Sequence, residues 1–420
     1  MSGLQATPRG NRLHIGIFGR RNAGKSSFIN RLVQQDLAIV SPVAGTTADP
    51  VYKSIEIHPI GPCVLIDTAG FDDTGELGSL RVAKTKEAAA KTDVAIILIG
   101  ADHLIIDQVQ TTATTAALSN NLLQSTPLDE EKAWLSYFKE RKTPVLYILN
   151  KAELITVTDS LLSSLEQLLG QPVLAVSAST GSGFNHVKEA LLKLPLDFEQ
   201  ESLTGHLVKA GDSVLLVMPQ DLQAPKGRLI LPQVQVIRDL LDLGAIPTAV
   251  TTDKLEQALS LLAEPPALII TDSQVFKQAF AQKPAASRIT SFSVLLARYK
   301  GDIEEFVSGA AAIEALQITD RVLIAEACSH DPLDGDIGRI KIPALLRKKV
   351  GEGLQIDVVG GRDFPDDLSP YALIIHCGAC MFNRRHVLSR INQAQQQGVP
   401  ITNYGIAIAQ LNGILEHVEK

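Results

Sequence analysis

From Leu13 to Leu194, short apolar runs alternate with amphipathic stretches: LHIGIFG precedes a helical pattern from Lys25, CVLIDTAG precedes one over residues 80–91, and VAIILIG, VLYILNK and VLAVSAS follow in turn. Runs that are apolar at nearly every position belong to strands covered on both faces. The alternation therefore predicts an α/β domain whose doubly wound, mainly parallel sheet carries helices on both sides. The stretch 195–211, PLDFEQESLTGHLVKAG, is polar, contains Pro and Gly, and reads as a linker. A second alternating unit follows, with strands near 213–217, 247–250 and 267–271 and helices near 232–243 and 254–263. A third has strands near 321–327, 355–359, 371–376 and 400–402. The expected boundaries are 8–195, 196–271 and 272–420, although the last two units are softly divided and could share one sheet.

A chain of 420 residues exceeds what one core usually serves, which supports several domains. With 45% hydrophobic and 20% charged residues it is globular throughout. The formal charge of −7 is spread evenly, with 18 basic against 21 acidic residues in 1–200 and 21 against 25 in 201–420. Neither half carries the basic excess of a nucleic-acid binder. The opening MSGLQATPRG lacks an apolar signal core and the longest apolar runs are strand-length. A cytoplasmic protein without a membrane partner is the expectation.

Chemistry enters at Gly19-Arg20-Arg21-Asn22-Ala23-Gly24-Lys25-Ser26, a G-x-x-x-x-G-K-S run that leaves an apolar strand and opens a helix. Gly19 and Gly24 let backbone N–H groups curl round phosphates, with Ala23 and Ser27 in the same cradle. Lys25 neutralises the β- and γ-oxygens and Ser26 reaches Mg2+. Asp67-Thr68-Ala69-Gly70 closes the strand CVLID, bringing a carboxylate behind the metal's direct ligands and the Gly70 amide to the γ-phosphate; Gly45-Thr46-Thr47 offers the remaining metal ligand, Thr47 being favoured. Asn150-Lys151-Ala152-Glu153 selects guanine, because a carboxylate accepts from both N1–H and the 2-amino group, and Ser177-Ala178 presents an amide to O6. Glu153 departs from the usual Asp by one methylene. The predicted activity is GTP hydrolysis to GDP and phosphate. Phe71 stands where Ras-like enzymes carry a water-orienting Gln, so the reaction should be slow. Asn22 and the Gly45-Thr46-Thr47 run resemble the TrmE-Era-like GTPases, which implies a K+ ion at Asn22.

Three of the four cysteines fall late, in Cys328-Ser329-His330 and His376-Cys377-Gly378-Ala379-Cys380, each group ending an apolar strand. Ligands at the carboxyl ends of parallel strands converge on one sheet edge, so the thiols can meet. Three thiolates suit a 4Fe-4S cluster, a Cys3His zinc or a redox pair. Asn383 should cap a helix through residues 387–397, with Arg384 and Arg385 in its first turn turned toward an anionic group.

C-x-H, a gap of some 45 residues, then H-C-x-x-C, behind a GTPase domain, resembles the HydF family of FeFe-hydrogenase maturation GTPases over essentially the whole chain. The resemblance implies a homodimeric scaffold that holds a 4Fe-4S cluster on Cys328, Cys377 and Cys380, with His330 or His376 as candidate fourth ligand. It would accept a diiron subcluster precursor and deliver it to apo FeFe-hydrogenase alongside radical-SAM maturases. A zinc- or thiol-stabilised GTPase, or an Era-like ribosome- or RNA-directed GTPase, is the competing expectation.

Overall fold

The computed structural model describes residues 9–34, 51–70, 76–106, 128–195, 202–219, 229–327, 337–361 and 363–420. The chain forms two compact units, Met1–Phe198 and Glu199–Lys420.

In the first unit the elements run β1 (Leu13–Gly19), α1 (Lys25–Gln34), β2 (Val51–Ile57), β3 (Gly61–Asp67), α2 (Glu76–Ala90), β4 (Val94–Gly100), α3 (Ala101–Ile106), α4 (Asp129–Glu140), β5 (Val145–Asn150), α5 (Asp159–Leu169), β6 (Val173–Ala175) and α6 (Phe184–Lys193). They build a six-stranded sheet in the order β2-β3-β1-β4-β5-β6, parallel except for β2 against β3. Alternation along the strands divides the apolar side chains between two layers. Ile15, Ile17, Ile96 and Leu98 pack with Phe28 and Phe184 on one face; Phe18, Ile97 and Ile99 pack with Phe138 and Tyr147 on the other. All seven residues of β4 are buried, as its unbroken apolar run requires. Helix α5 shows how local chemistry sets an element's limits: Thr158 Oγ1 accepts from Leu161 N at its start, and Gly170 adopts φ 66° at its end.

Among the described residues the second unit contains two four-stranded parallel sheets, so the suggestion that its halves share one sheet is corrected. The first comprises β7 (Ser213–Val217), α7 (Leu231–Asp242), β8 (Ile246–Val250), α8 (Leu255–Leu261), β9 (Leu268–Thr271), α9 (Phe276–Gln282), β10 (Arg288–Ser291) and α10 (Phe292–Lys300), in the order β10-β9-β7-β8. The second comprises α11 (Ile303–Ala310), α12 (Ala312–Ala315), β11 (Arg321–Ala325), α13 (Ile342–Val350), β12 (Gln355–Val359), β13 (Leu373–His376), α14 (Arg384–Gln396), β14 (Ile401–Asn403) and α15 (Tyr404–Leu411), in the order β12-β11-β13-β14. One apolar core joins them, with Leu215, Ile269 and Ile289 from the first sheet and Val322, Ile324, Ile374 and Ile401 from the second. Helix α11 lies so close on β14 that a Cβ at Gly309 would meet Ile401 O at 2.0 Å.

Part of the expected linker is packed structure. Leu203, Leu207 and Val208 enter the core beneath β7. The Asp239 carboxylate gathers the turn at its base by accepting from Ser202 Oγ and the amides of Leu203 and Thr204. Polar residues that read as solvated chain are instead partners of one acid on α7. Among the described residues no helix is long and apolar enough to cross a membrane.

Candidate functional site

The phosphate-loop sequence falls between β1 and α1, on the strand from which the sheet order runs in both directions. Gly24 holds φ 89°, and a Cβ there would meet Asn150 Nδ2 at 2.3 Å, so this position needs glycine for its dihedral and for space. Asn22 also takes a left-handed φ of 61°. Lys25 is buried, its ammonium donating to Gly19 O and Arg20 O at 2.9 Å each. Ser26 Oγ donates to Asp67 Oδ2 at 2.7 Å. Burial pushes the Asp67 carboxyl up from its ordinary range, against the pull of Ser26, Lys25 and Lys53. Gly70, at the end of the same segment, is buried. Serine and aspartate are thus joined, with Lys25 near enough to act on the carboxyl.

The residues expected to read the base border a cleft of about 590 Å3 lined by Gly24, Ser27, Asn150, Lys151, Glu153 and Ala178. Asn150 ties its parts together: Nδ2 donates to Ala23 O at 3.0 Å, and Oδ1 accepts from Ala178 N at 3.2 Å. The Ala178 amide expected to face O6 is engaged by Asn150 here. Lys151, at φ 62°, pairs with Asp102 at 2.5 Å. The Glu153 carboxylate accepts from Ser179 Oγ at 2.7 Å. Hydrogen bonding from Ser177, followed by that from Ser179, holds it below the usual carboxylate range. Ser177 itself is buried.

Sequence reasoning missed a further contact. Arg20, inside the phosphate loop, makes a fork on the buried Glu131 of α4, with Nε to Oε1 at 2.8 Å and Nη2 to Oε2 at 3.0 Å. Nothing in the motif signals it, since Glu131 lies 111 positions away.

In the second unit, β11 and β13 are neighbours with Ala325 opposite His376, and β12 and β14 flank them. The sheet order reverses between β11 and β13, so the segments leaving these two strands border the crevice where such sheets bind ligands. Cys377 and Cys380 follow β13. Ala327, which immediately precedes Cys328, donates its amide to Cys377 Sγ at 3.0 Å, and Ala379 N donates to the same sulfur at 3.4 Å. Burial pushes the Cys377 thiol up to about 11, with these two amides opposing. Ala379 holds φ 50° and is buried. Cys63 is buried in the core of the first unit.

Expectations for Thr46, Thr47, Phe71, Cys328 and His330 lie outside the described residues. His376 requires a correction. Its ring is buried, Nδ1 donating to Cys377 O at 2.8 Å while Nε2 accepts from Arg390 at 3.0 Å. Burial, reinforced by Arg390, lowers its pKa to about 3. Both nitrogens are committed, so in this arrangement the ring braces the loop and is not poised as a ligand. Of the two arginines, Arg384 needs a similar correction. Asn383 does cap α14, accepting from His386 N, but Arg384 turns to the carbonyls of Arg298, Tyr299 and Gly301 at the end of α10.

The buried cations beside the cysteines are ones the sequence did not single out. Lys300, 2% exposed, donates to Ala379 O, Cys380 O and Phe382 O at 3.3, 3.2 and 2.6 Å. Burial draws its pKa down to about 8, while Cys380 and Cys377 pull it back up. Arg390 lies between the rings of Phe364 and Phe382, their centroids 4.6 and 4.8 Å away, and donates to Gly361 O at 2.7 Å. Asn403 Nδ2 donates to Cys377 O at 3.2 Å.

The chain is 33% identical over 195 residues to the tRNA modification GTPase MnmE of Nitrosomonas europaea, covering 45% of this chain and 37% of that protein. It is 33% identical over 181 residues to MnmE of Lachnoclostridium phytofermentans, covering 42% and 33%. The chain thus spans about a third of the length of these curated relatives. Among solved structures, Aquifex aeolicus Era shares 18% identity at a TM-score of 0.32, over 60% of this chain and 98% of that one. The G domain of T. maritima FeoB shares 20% at 0.28, over 45% and 99%. Residues 14–151 match the 50S ribosome-binding GTPase family, and the unit that contains them is a P-loop GTPase that uses GTP and Mg2+. Residues 203–301 match the hydrogen maturase F dimerization domain and residues 304–420 the hydrogen maturase F tetramerization domain. With the GTPase domain ahead of both, in that order, the chain belongs to the hydrogen maturase F (HydF) family.

Proposed function

We propose that this chain is a self-associating scaffold in FeFe-hydrogenase maturation, which holds a 4Fe-4S cluster and carries a diiron precursor as cargo to the apo-hydrogenase. Radical-SAM maturases would supply the cargo. The carrying observation is the Cys377–Cys380 loop at the point where the sheet order reverses, with the Ala327 amide against Cys377 Sγ.

The residues fit such a group. Cys377 Sγ already accepts two backbone N–H bonds, the arrangement a thiolate requires, and a buried ammonium sits under the same loop. Cys328, Cys377 and Cys380 would hold the cluster. His330 remains a candidate for the fourth position, whereas His376 supports the loop from behind. When bound, the cluster supplies an iron with an exchangeable position and a one-electron couple. This chain's own residues orient the thiols, donate N–H bonds to them and offset their charge.

In the first unit Ser26 and Thr47 would hold Mg2+, with Asp67 oriented through Ser26. Lys25 would move from Gly19 O and Arg20 O onto the β- and γ-phosphates, and Gly70 would report the γ-phosphate to the segment beyond it. Asn22 would hold K+ where other GTPases use an arginine finger. GTP hydrolysis is then a slow timer for cargo transfer, acting through 44–50 and 71–80. Equal rates in K+ and Na+ buffers would remove the K+ site.

Anaerobic reconstitution with iron and sulfide, followed by EPR of the reduced protein, tests the cluster. A 4Fe-4S signal lost in C328S, C377S or C380S is the expected result. Colourless protein carrying one zinc would establish a zinc-stabilised GTPase in its place.

A further inference from the structure

We propose that Lys300 is the positioning residue of the cysteine loop: it fastens the loop by its main chain and places a fixed positive charge beneath the anionic group the thiols bind. This rests on the iron–sulfur reading above.

The geometry is specific. Lys300 is the last residue of α10, whose N-terminus Ser291 caps by accepting from Val294 N. Its side chain runs into the protein, and all three ammonium protons have acceptors on one loop, the carbonyls of Ala379, Cys380 and Phe382. Trans-peptide planarity then turns the N–H groups of Cys380 and Met381 to the loop's opposite side. A carbonyl-lined socket with one buried cation gives the Cys377–Phe382 segment a single conformation, including the left-handed Ala379 between the two cysteines. The end of α10 is itself pinned, because Arg384 donates to the carbonyls of Arg298, Tyr299 and Gly301 on either side of Lys300.

Burying an ammonium is costly unless anions or strong dipoles compensate. Loop fastening alone could be done by a neutral donor such as glutamine. The cation's added effect is electrostatic: three thiolates leave an oxidised 4Fe-4S cluster net negative, and reduction adds another negative charge. A buried positive charge favours the reduced form and raises the midpoint potential.

The test uses the full chain, reconstituted anaerobically, with wild type, Lys300→Met and Lys300→Arg compared. The readouts are the EPR-monitored midpoint potential and the rate of iron loss to a chelator; GTP hydrolysis serves as the folding control for the first unit. Lys300→Met is expected to shift the potential to more negative values and speed iron loss by on the order of threefold or more. Lys300→Arg keeps the charge but cannot reproduce three contacts from one nitrogen, so its potential stays near wild type while iron loss rises. A merely structural lysine would move iron loss alike in both variants and leave both potentials unchanged, which would overturn the proposal. Should Lys300→Met not accumulate as folded protein, Lys300→Arg decides: iron loss equal to wild type overturns the fastening role. A wild-type chain that assembles no cluster would instead refute the reading on which the inference rests.

Discussion

Glu153 shows how a departure from a motif can be absorbed by its neighbours. The extra methylene carries the carboxylate outward, and Ser179 Oγ catches it at 2.7 Å. Ser179→Ala should therefore weaken GDP binding roughly two- to fivefold, an exposed charge-assisted bond being worth well under its buried value. ATP binding should stay unchanged; titration of both nucleotides checks this, and equal losses would show that the serine does not serve base reading. His376 carries a pH prediction. Its pKa of about 3 lies below the ordinary 6.5, so the unfolded chain binds the extra proton between those values. The ring's contribution is complete above pH 6.5 and is lost as pH falls toward 3, at up to ~1.4 kcal/mol per unit. Urea midpoints of the apo protein's second unit should fall from pH 7 to pH 5, with a shallower fall in His376→Asn. Both residues were legible as candidates. What sequence could not give was the direction each side chain takes, because the Arg390 that claims His376 is 14 positions away on another element.

At the level of elements, two strands were legible to the residue: 213–217 and 355–359 were expected and Ser213–Val217, almost wholly buried, and Gln355–Val359, partly exposed, are found. Arg288–Ser291 was missed because four residues, RITS, show no period that distinguishes them from loop; pairing with β9 makes them a strand. The same limit hid the contact of α4 with the phosphate loop, which needs two elements to be adjacent before it exists. Glu131 is 1% exposed while the Arg20 side chain keeps 22%, so the pair is fixed but partly screened. Glu131→Ala should cost about 2 kcal/mol and release the loop's first turn, weakening nucleotide binding as well. Glu131→Gln, which retains one hydrogen bond, should recover most of the stability. Chemical denaturation and GDP titration together check the claim, and a stability loss with unchanged GDP affinity would confine Glu131 to a packing role.

At the scale of the whole molecule, each compact unit owns its apolar cores, those of the first built on β1, β4 and β5, those of the second on its two parallel sheets. Separate cores predict separate cooperative transitions on heating. A ligand stabilises the unit it binds by RT ln(1 + [L]/Kd), about 2.7 kcal/mol at a hundredfold excess over Kd. GDP with Mg2+ should therefore raise one calorimetric transition by several degrees, and anaerobic loading with iron and sulfide should raise the other. Lys25→Ala should abolish the first shift and Cys377→Ser the second. If nucleotide state governs cargo transfer, the two shifts cannot be independent: linkage requires that whatever nucleotide does to the iron-loaded unit, iron loading does in equal measure to nucleotide affinity. Calorimetry with both ligands should then give a result that differs from the sum of the separate shifts. GTP analogue and GDP should differ in that excess if, as proposed, the Gly70 amide meets the γ-phosphate. Strict additivity with either nucleotide would show that the GTPase acts only through partners outside this chain.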